Sequence, residues 1–150
     1  MASTHANLLV HLVFSTKNRE ARISKDVQSD LYAYLGGIVR SEGGSTLAIG
    51  GMPDHVHLLV RVRPALAVAT LVGKLKGKSS KWIKHHESGD RHFTWQSGYG
   101  AFSVSESQAP VVRRYIANQA AHHRKRTFRD EFLELLQKHG IEYDERYVLG

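Results

Sequence analysis

Two apolar stretches separated by only two residues constrain the fold most. Residues 47–52 (LAIGGM) are apolar, Pro53 and Asp54 interrupt them, and residues 55–63 then alternate. In that second stretch Val56, Leu58, Val60 and Val62 point one way, and His55, His57, Leu59, Arg61 and Arg63 the other. A parallel pair would need a crossover of a dozen residues or so, so these strands must form an antiparallel hairpin.

The other periodicities fall into order around that hairpin. Residues 7–14 (NLLVHLVF) are apolar on both faces and read as a central strand. Ser24 is placed to cap a first helix, with Asp26 in its first turn, an apolar stripe of Val27, Leu31, Tyr34, Leu35 and Ile38, and Gly43 and Gly44 at its end. Residues 66–84 read as a second helix, buried through Val68, Leu71, Val72 and Leu75. Gly73 and Gly77 each cost that helix about 1 kcal/mol relative to Ala, which suggests that something approaches it closely. Residues 93–104 (FTWQSGYGAFSV) read as a last strand, bent at Gly98 and Gly100. Pro110 starts a third helix at about residues 110–124. Thr127 caps a fourth, with Asp130 and Glu131 in its first turn, Phe128, Phe132, Leu135 and Leu136 as its apolar stripe, and Gly140 closing it.

The predicted order is β-α-β-β-α-β followed by two helices. It describes an α+β fold, a ferredoxin-like antiparallel sheet with two additional C-terminal helices, in one domain spanning residues 1–150. Helices cover one sheet face, and the other face, where His55 and His57 point, is left open for a ligand or for the trailing helices. Such a fold hosts many activities, so function must be read from side chains.

Composition removes several classes of chemistry. The chain has no cysteine, which excludes disulfide scaffolds, thiol nucleophiles and thiolate metal sites. No apolar run is long enough to span a membrane, and the first ten residues lack the basic and apolar regions of a signal peptide. A cytoplasmic protein is expected. Lys and Arg number 21 against 14 Asp and Glu, a formal charge of +7, which suits a polyanion such as nucleic acid but equally serves solubility, and charge alone does not choose between them.

Three constellations carry possible chemistry. His55 and His57 are two apart on a strand, so their rings share one face, about 7 Å apart at the backbone, and can hold one divalent ion. An isolated His-x-His is equally a half-buried pair in a His-rich chain. Tyr115 and Gln119 share a helical face that His122 continues, apart from the aliphatic stripe of Val112, Ile116 and Ala120; by itself this describes an amphipathic rim tyrosine better than a cleft residue. Lys74, Lys78 and Lys81 line one face of the second helix, and Arg113, Arg114 and Arg124 flank Tyr115; together they suit DNA phosphates. Trp82 and Trp95 either stack on bases or pack in the core.

Taken in order, Pro53-Asp54-His55-Val56-His57-Leu58-Leu59-Val60 and Tyr115-Ile116-x-Asn118-Gln119-x-x-His122-His123 resemble the single-tyrosine HUH transposases of small bacterial insertion sequences, the TnpA type. Residues 15–19, 95–105 and 143–147 are similar to that family as well, so the likeness runs nearly end to end. The resemblance implies that His55, His57 and Gln119 ligate a divalent metal, Mg2+ or Mn2+, and that Tyr115 is the nucleophile. It also implies single-stranded DNA substrates with hairpins near the element ends, a 5′-phosphotyrosine intermediate, and a homodimer whose active site can be shared between chains. Asp54, His11 and His122 are candidates to support the ligands from behind, although Asp54 can equally belong to the turn, and His11 can simply be packed or, less favoured, be a ligand itself. The competing readings are a nucleic-acid-binding protein of the same fold without catalysis, and a metal-dependent phosphoesterase, in which Tyr115 would be dispensable. A replication or relaxase nickase of the same class would have a larger chain.

Overall fold

The computed structural model describes residues 3–150. Four strands form one antiparallel sheet in the order β2-β3-β1-β4: β1 (Leu8–Ser15), β2 (Ser45–Met52), β3 (His55–Val62) and β4 (Gly100–Val104). The expected hairpin is β2–β3, closed by Pro53 and Asp54, with Met52 facing His55 in register. Strand β1 is central, placing Val13 opposite His57 and Ser15 opposite His55.

Helices α1 (Lys25–Ser41) and α2 (Val68–His85) cover one face. There Leu31, Leu35, Leu71 and Leu75 bury Leu12, Phe14, Val56 and Leu58. Three further helices, α3 (Ala109–Ala117), α4 (Gln119–His122) and α5 (Phe128–Lys138), cover the other face. Of the two uses expected for this face, a ligand or the trailing helices, the trailing helices take it. Its apolar residues fall into two separate clusters, Leu9, Leu59, Ala109 and Ile116 under α3, and Val13, Phe102, Phe128 and Phe132 under α5. The histidines of β1 and β3 lie on this same face.

Three local expectations are corrected. The last strand is only Gly100–Val104, because residues 93–99 leave the sheet, with Thr16 and Trp95 forming an isolated bridge. Phe93 and Trp95 instead enter the main core, and the Trp95 indole donates to Ser79 Oγ at 2.9 Å. Trp82 stacks on Tyr34, so both tryptophans serve packing. The third helix is interrupted at Asn118, whose φ of −99° and ψ of 24° separate α3 from α4. Ser24 precedes α1 without a side-chain cap bond, whereas Thr127 does accept from the Asp130 amide.

Gly43 and Gly140 end α1 and α5 with positive φ, as expected, but the close approach expected at Gly73 and Gly77 is found at Gly50 instead. A Cβ at Gly73 or Gly77 would meet open space, so none of the described residues approaches α2 there. A Cβ at Gly50, on β2, would collide with the Ile116 carbonyl of α3. Gly50 thus lets the helix carrying Tyr115 lie directly on the sheet.

Candidate active site

Pleating puts His11 of β1 and His55 and His57 of β3 on one face, and all three are buried. His55 Nδ1 donates to Asp54 Oδ1 at 2.7 Å, and a 2.8 Å hydrogen bond joins His57 Nδ1 to His11 Nε2. Both Nδ1 atoms are therefore engaged from behind, which turns both Nε2 atoms toward α5. Asp54 and His11 thus hydrogen-bond the pair on the side away from Glu131. The His122 ring lies 4.8 Å from that of Tyr115, against the tyrosine and not among the histidines that surround Glu131.

What faces the two Nε2 atoms is Glu131, which is fully buried. Its Oε1 lies 3.1 Å from His57 Nε2, 3.3 Å from His55 Nε2 and 3.0 Å from His123 Nε2. Its other oxygen accepts from the Gln119 amide at 3.0 Å and from the Tyr115 hydroxyl. Gln119 Oε1 in turn accepts from His55 Nε2 at 2.8 Å. The carboxylate is thus the hub that gathers His55, His57, Tyr115 and Gln119 into one site.

By sequence Glu131 is an ordinary acid in the first turn of α5. The overlooked signal is its phase: Glu131 follows Phe128 by three residues and precedes Leu135 by four, so it lies within the buried stripe. A carboxylate there costs several kcal/mol unless donors surround it.

The electrostatics follow from this packing. Burial opposes charge on His55, but Asp54, Glu131 and Gln119 outweigh it and push the pKa up to about 9. Burial dominates at His57 and lowers it, and at His11 burial and the neighbouring His57 bring it down to about 3. Burial would raise Glu131, but His123, His55 and His57 hold it far below the usual carboxylate range. Burial and the adjacent Glu131 charge push the Tyr115 phenol well above its ordinary value.

The donor set fits a divalent metal. One ligand atom each from His55, His57 and Glu131 lie within 4.8 Å of one another, and two imidazoles with a carboxylate suit first-row divalent ions. Gln119 is within reach of the same space.

The basic residues divide. Arg124 lines a cleft of about 580 Å3 with Arg19, Lys125 and Asp54, at the edge of this site. Arg113 and Arg114 are exposed on α3. Lys74, Lys78 and Lys81 are exposed on α2, which packs on the opposite sheet face, so this stripe does not flank the histidine pair. Lys74 is also ion-paired with Glu42.

Proteins similar to this chain are transposases. The profile described as Transposase IS200 like matches residues 4–119, so the chain belongs to the IS200-like transposase family. His55, His57, Tyr115 and Gln119 fall inside the match, and Glu131 lies beyond it. The ISDra2 transposase TnpA of Deinococcus radiodurans is 28% identical over 114 residues, 73% of this chain and 81% of that protein. The transposase for insertion sequence element IS200 of Salmonella typhimurium is 27% identical over 125 residues, 79% of this chain and 81% of that protein. A solved structure of a Deinococcus radiodurans transposase superposes with a TM-score of 0.60 at 28% identity, covering 79% of this chain and 95% of that one. The structure of a REP-associated tyrosine transposase bound to a REP hairpin shares the fold, with a TM-score of 0.61 at 12% identity over 82% and 74% of the two chains. Among the described residues no helix is long and apolar enough to cross a membrane.

Proposed function

We propose that this transposase cleaves and rejoins single-stranded DNA through a covalent bond to Tyr115, with a divalent metal held by His55 and His57. The observation that carries the reading is the gathering of Tyr115, His55 and His57 around Glu131 in one buried cluster. Glu131 or Gln119, each beside the two histidines, would supply a third protein ligand. The bound ion would polarise a phosphate oxygen and stabilise the charge that develops on it. Imidazole ligands favour Mn2+, while Mg2+ with its retained waters remains compatible.

In the cleavage step Tyr115 Oη bonds to phosphorus as the P–O3′ bond breaks. A proton leaves the phenol and the departing 3′-oxygen takes one up. The 5′-phosphotyrosine keeps the energy of the broken bond, so rejoining to another 3′-hydroxyl needs no nucleotide cofactor. Asp54 and His11 orient the two histidines, and Gly50 seats the α3 helix so that Tyr115 reaches them.

The substrate in this reading is single-stranded DNA carrying a hairpin, as in the hairpin-bound neighbour. Arg124, with Arg19 and Lys125, would hold phosphates beside the site, as would Arg113 and Arg114. Lys74, Lys78 and Lys81 would hold DNA lying away from the scissile bond. Strand transfer needs two cleaved ends, hence two tyrosines, which supports a homodimer. The Asn118 break and the connector at residues 105–108 offer pivots by which each Tyr115 helix can serve the partner's site.

The test is a denaturing gel of protein incubated with labelled single-stranded element ends and Mn2+. The native chain should form a shifted covalent band, and Tyr115→Phe should form none while still binding DNA. A phosphoesterase would cleave with either chain and form no adduct.

A further inference from the structure

A cavity of about 390 Å3 opens directly beside Tyr115, between the end of β4, α3 and α5. Its inner end is formed by Tyr115 and His11, both part of the cluster described above. Val112 and Leu135 form apolar walls. Hydrogen-bonding groups stand around them: Ser103, the Gln108 amide, which makes no cap bond to α3, and His139, whose ring is fixed by stacking on Phe102 at 4.6 Å. Among the described residues, no acidic side chain lines the cavity.

We propose that this cavity receives the nucleobase of the nucleotide whose 5′-phosphate Tyr115 attacks, so that the protein reads that base directly. The proposal rests on the cleavage reading above and adds a specificity pocket to it. Three features favour a base. The volume lies in the range of small-ligand pockets. Apolar walls with a few polar groups match a flat heterocycle with hydrogen-bonding edges. The lining cation, Lys138, is 66% exposed and paired with Glu134 at 3.1 Å, so the cavity is poorly built for a phosphate. A nucleotide bonded to Tyr115 Oη would also be tethered beside the cavity, because Tyr115 lines it.

Two measurements test it. In the first, a randomised single-stranded DNA pool is incubated with the protein and Mn2+, covalent adducts are isolated, and the tethered 5′ ends are sequenced. The first tethered nucleotide should show a bias of about tenfold for one or two bases, the size of a well-made base contact. Val111→Trp, which fills the cavity from its exposed rim, and Gln108→Ala should each reduce that bias severalfold in proteins that melt normally. A bias unchanged in both variants, or no bias at that position, overturns the pocket.

The second measurement does not depend on cleavage. Tyr115→Phe protein is photocrosslinked to a single-stranded oligonucleotide carrying 5-iodouracil, and the crosslinked peptides are mapped. Crosslinks within residues 103–112 or 135–139 support the pocket, and crosslinks confined elsewhere overturn it. If the native chain forms no adduct with any member of the pool, the cleavage reading fails, and this map still decides whether the cavity takes a base.

Discussion

The Tyr115 hydroxyl donates to the Glu131 carboxylate across sixteen residues of chain, and the same carboxylate faces His55 and His57. That contact joins the helix carrying the tyrosine to the strand carrying the histidines. It brings α3 and α5 onto one polar point of the sheet, between the two apolar clusters of that face.

Close seating of α3 makes Gly50 a positioning residue. Gly50→Ala should cost about 1–3 kcal/mol, the usual penalty of overpacking, and should lower adduct formation by displacing Tyr115. Gly73→Ala and Gly77→Ala, whose added methyl groups meet open space, should instead raise stability by about 0.5–1 kcal/mol each. Thermal melts of the three variants check both directions. A Gly50→Ala chain as stable and active as the native one would mean that α3 is not held as described.

The sheet was legible in the sequence because period-two patterning and the Pro53-Asp54 turn leave little freedom. His55 and His57 were legible as neighbours for the same reason, and the pairing of His11 with His57 follows from β1 lying beside β3. Glu131 was not, because its role depends on how α5 docks across the sheet, a relation that no local spacing encodes. The single helix expected at residues 110–124 hid the break at Asn118, since the apolar stripe runs through it without losing phase. The lysine stripe of α2 suits phosphates by its spacing, but charge does not encode its distance from the site, which is set by the sheet face on which α2 packs.

Metal binding should be coupled to proton release. His55, with its pKa raised to about 9, carries a proton at neutral pH that must leave before its Nε2 can ligate. Apparent Mn2+ affinity should therefore rise with pH up to about 9 and flatten above it. Glu131→Gln removes the carboxylate that stabilises that proton and one candidate ligand, and should weaken Mn2+ binding at least about tenfold. Calorimetric titrations of both chains across pH read both effects. Unchanged affinity in Glu131→Gln would leave Gln119 as the third ligand.

DNA binding should be dominated by phosphate contacts, given the +7 charge. The log–log slope of affinity against salt should be about −0.7 for each phosphate neutralised on a single strand. Arg124→Ala should reduce its magnitude by nearly that amount. Filter binding or fluorescence anisotropy across salt concentrations measures it, and a flat response would show that charge is not what holds the DNA.

Sharing of sites between chains is tested by complementation. Tyr115→Phe and His57→Ala chains, each inactive alone, are mixed and allowed to exchange. In a dimer where one chain's Tyr115 serves the partner's histidines, the mixture regains cleavage, because one of the two composite sites is intact. If the mixture stays inactive while light scattering shows heterodimers, Tyr115 acts only within its own chain, and a monomer in solution removes the sharing altogether.

The central claim is that Tyr115 becomes covalently joined to DNA. The direct measurement is mass spectrometry of the protein after reaction with single-stranded element ends and Mn2+, followed by digestion of both protein and DNA. The peptide containing Tyr115 should carry a nucleotide through its 5′-phosphate, with a free 3′-hydroxyl on the released strand. A nucleotide found on another residue, or cleaved DNA with an unmodified Tyr115 peptide throughout the reaction, would contradict it.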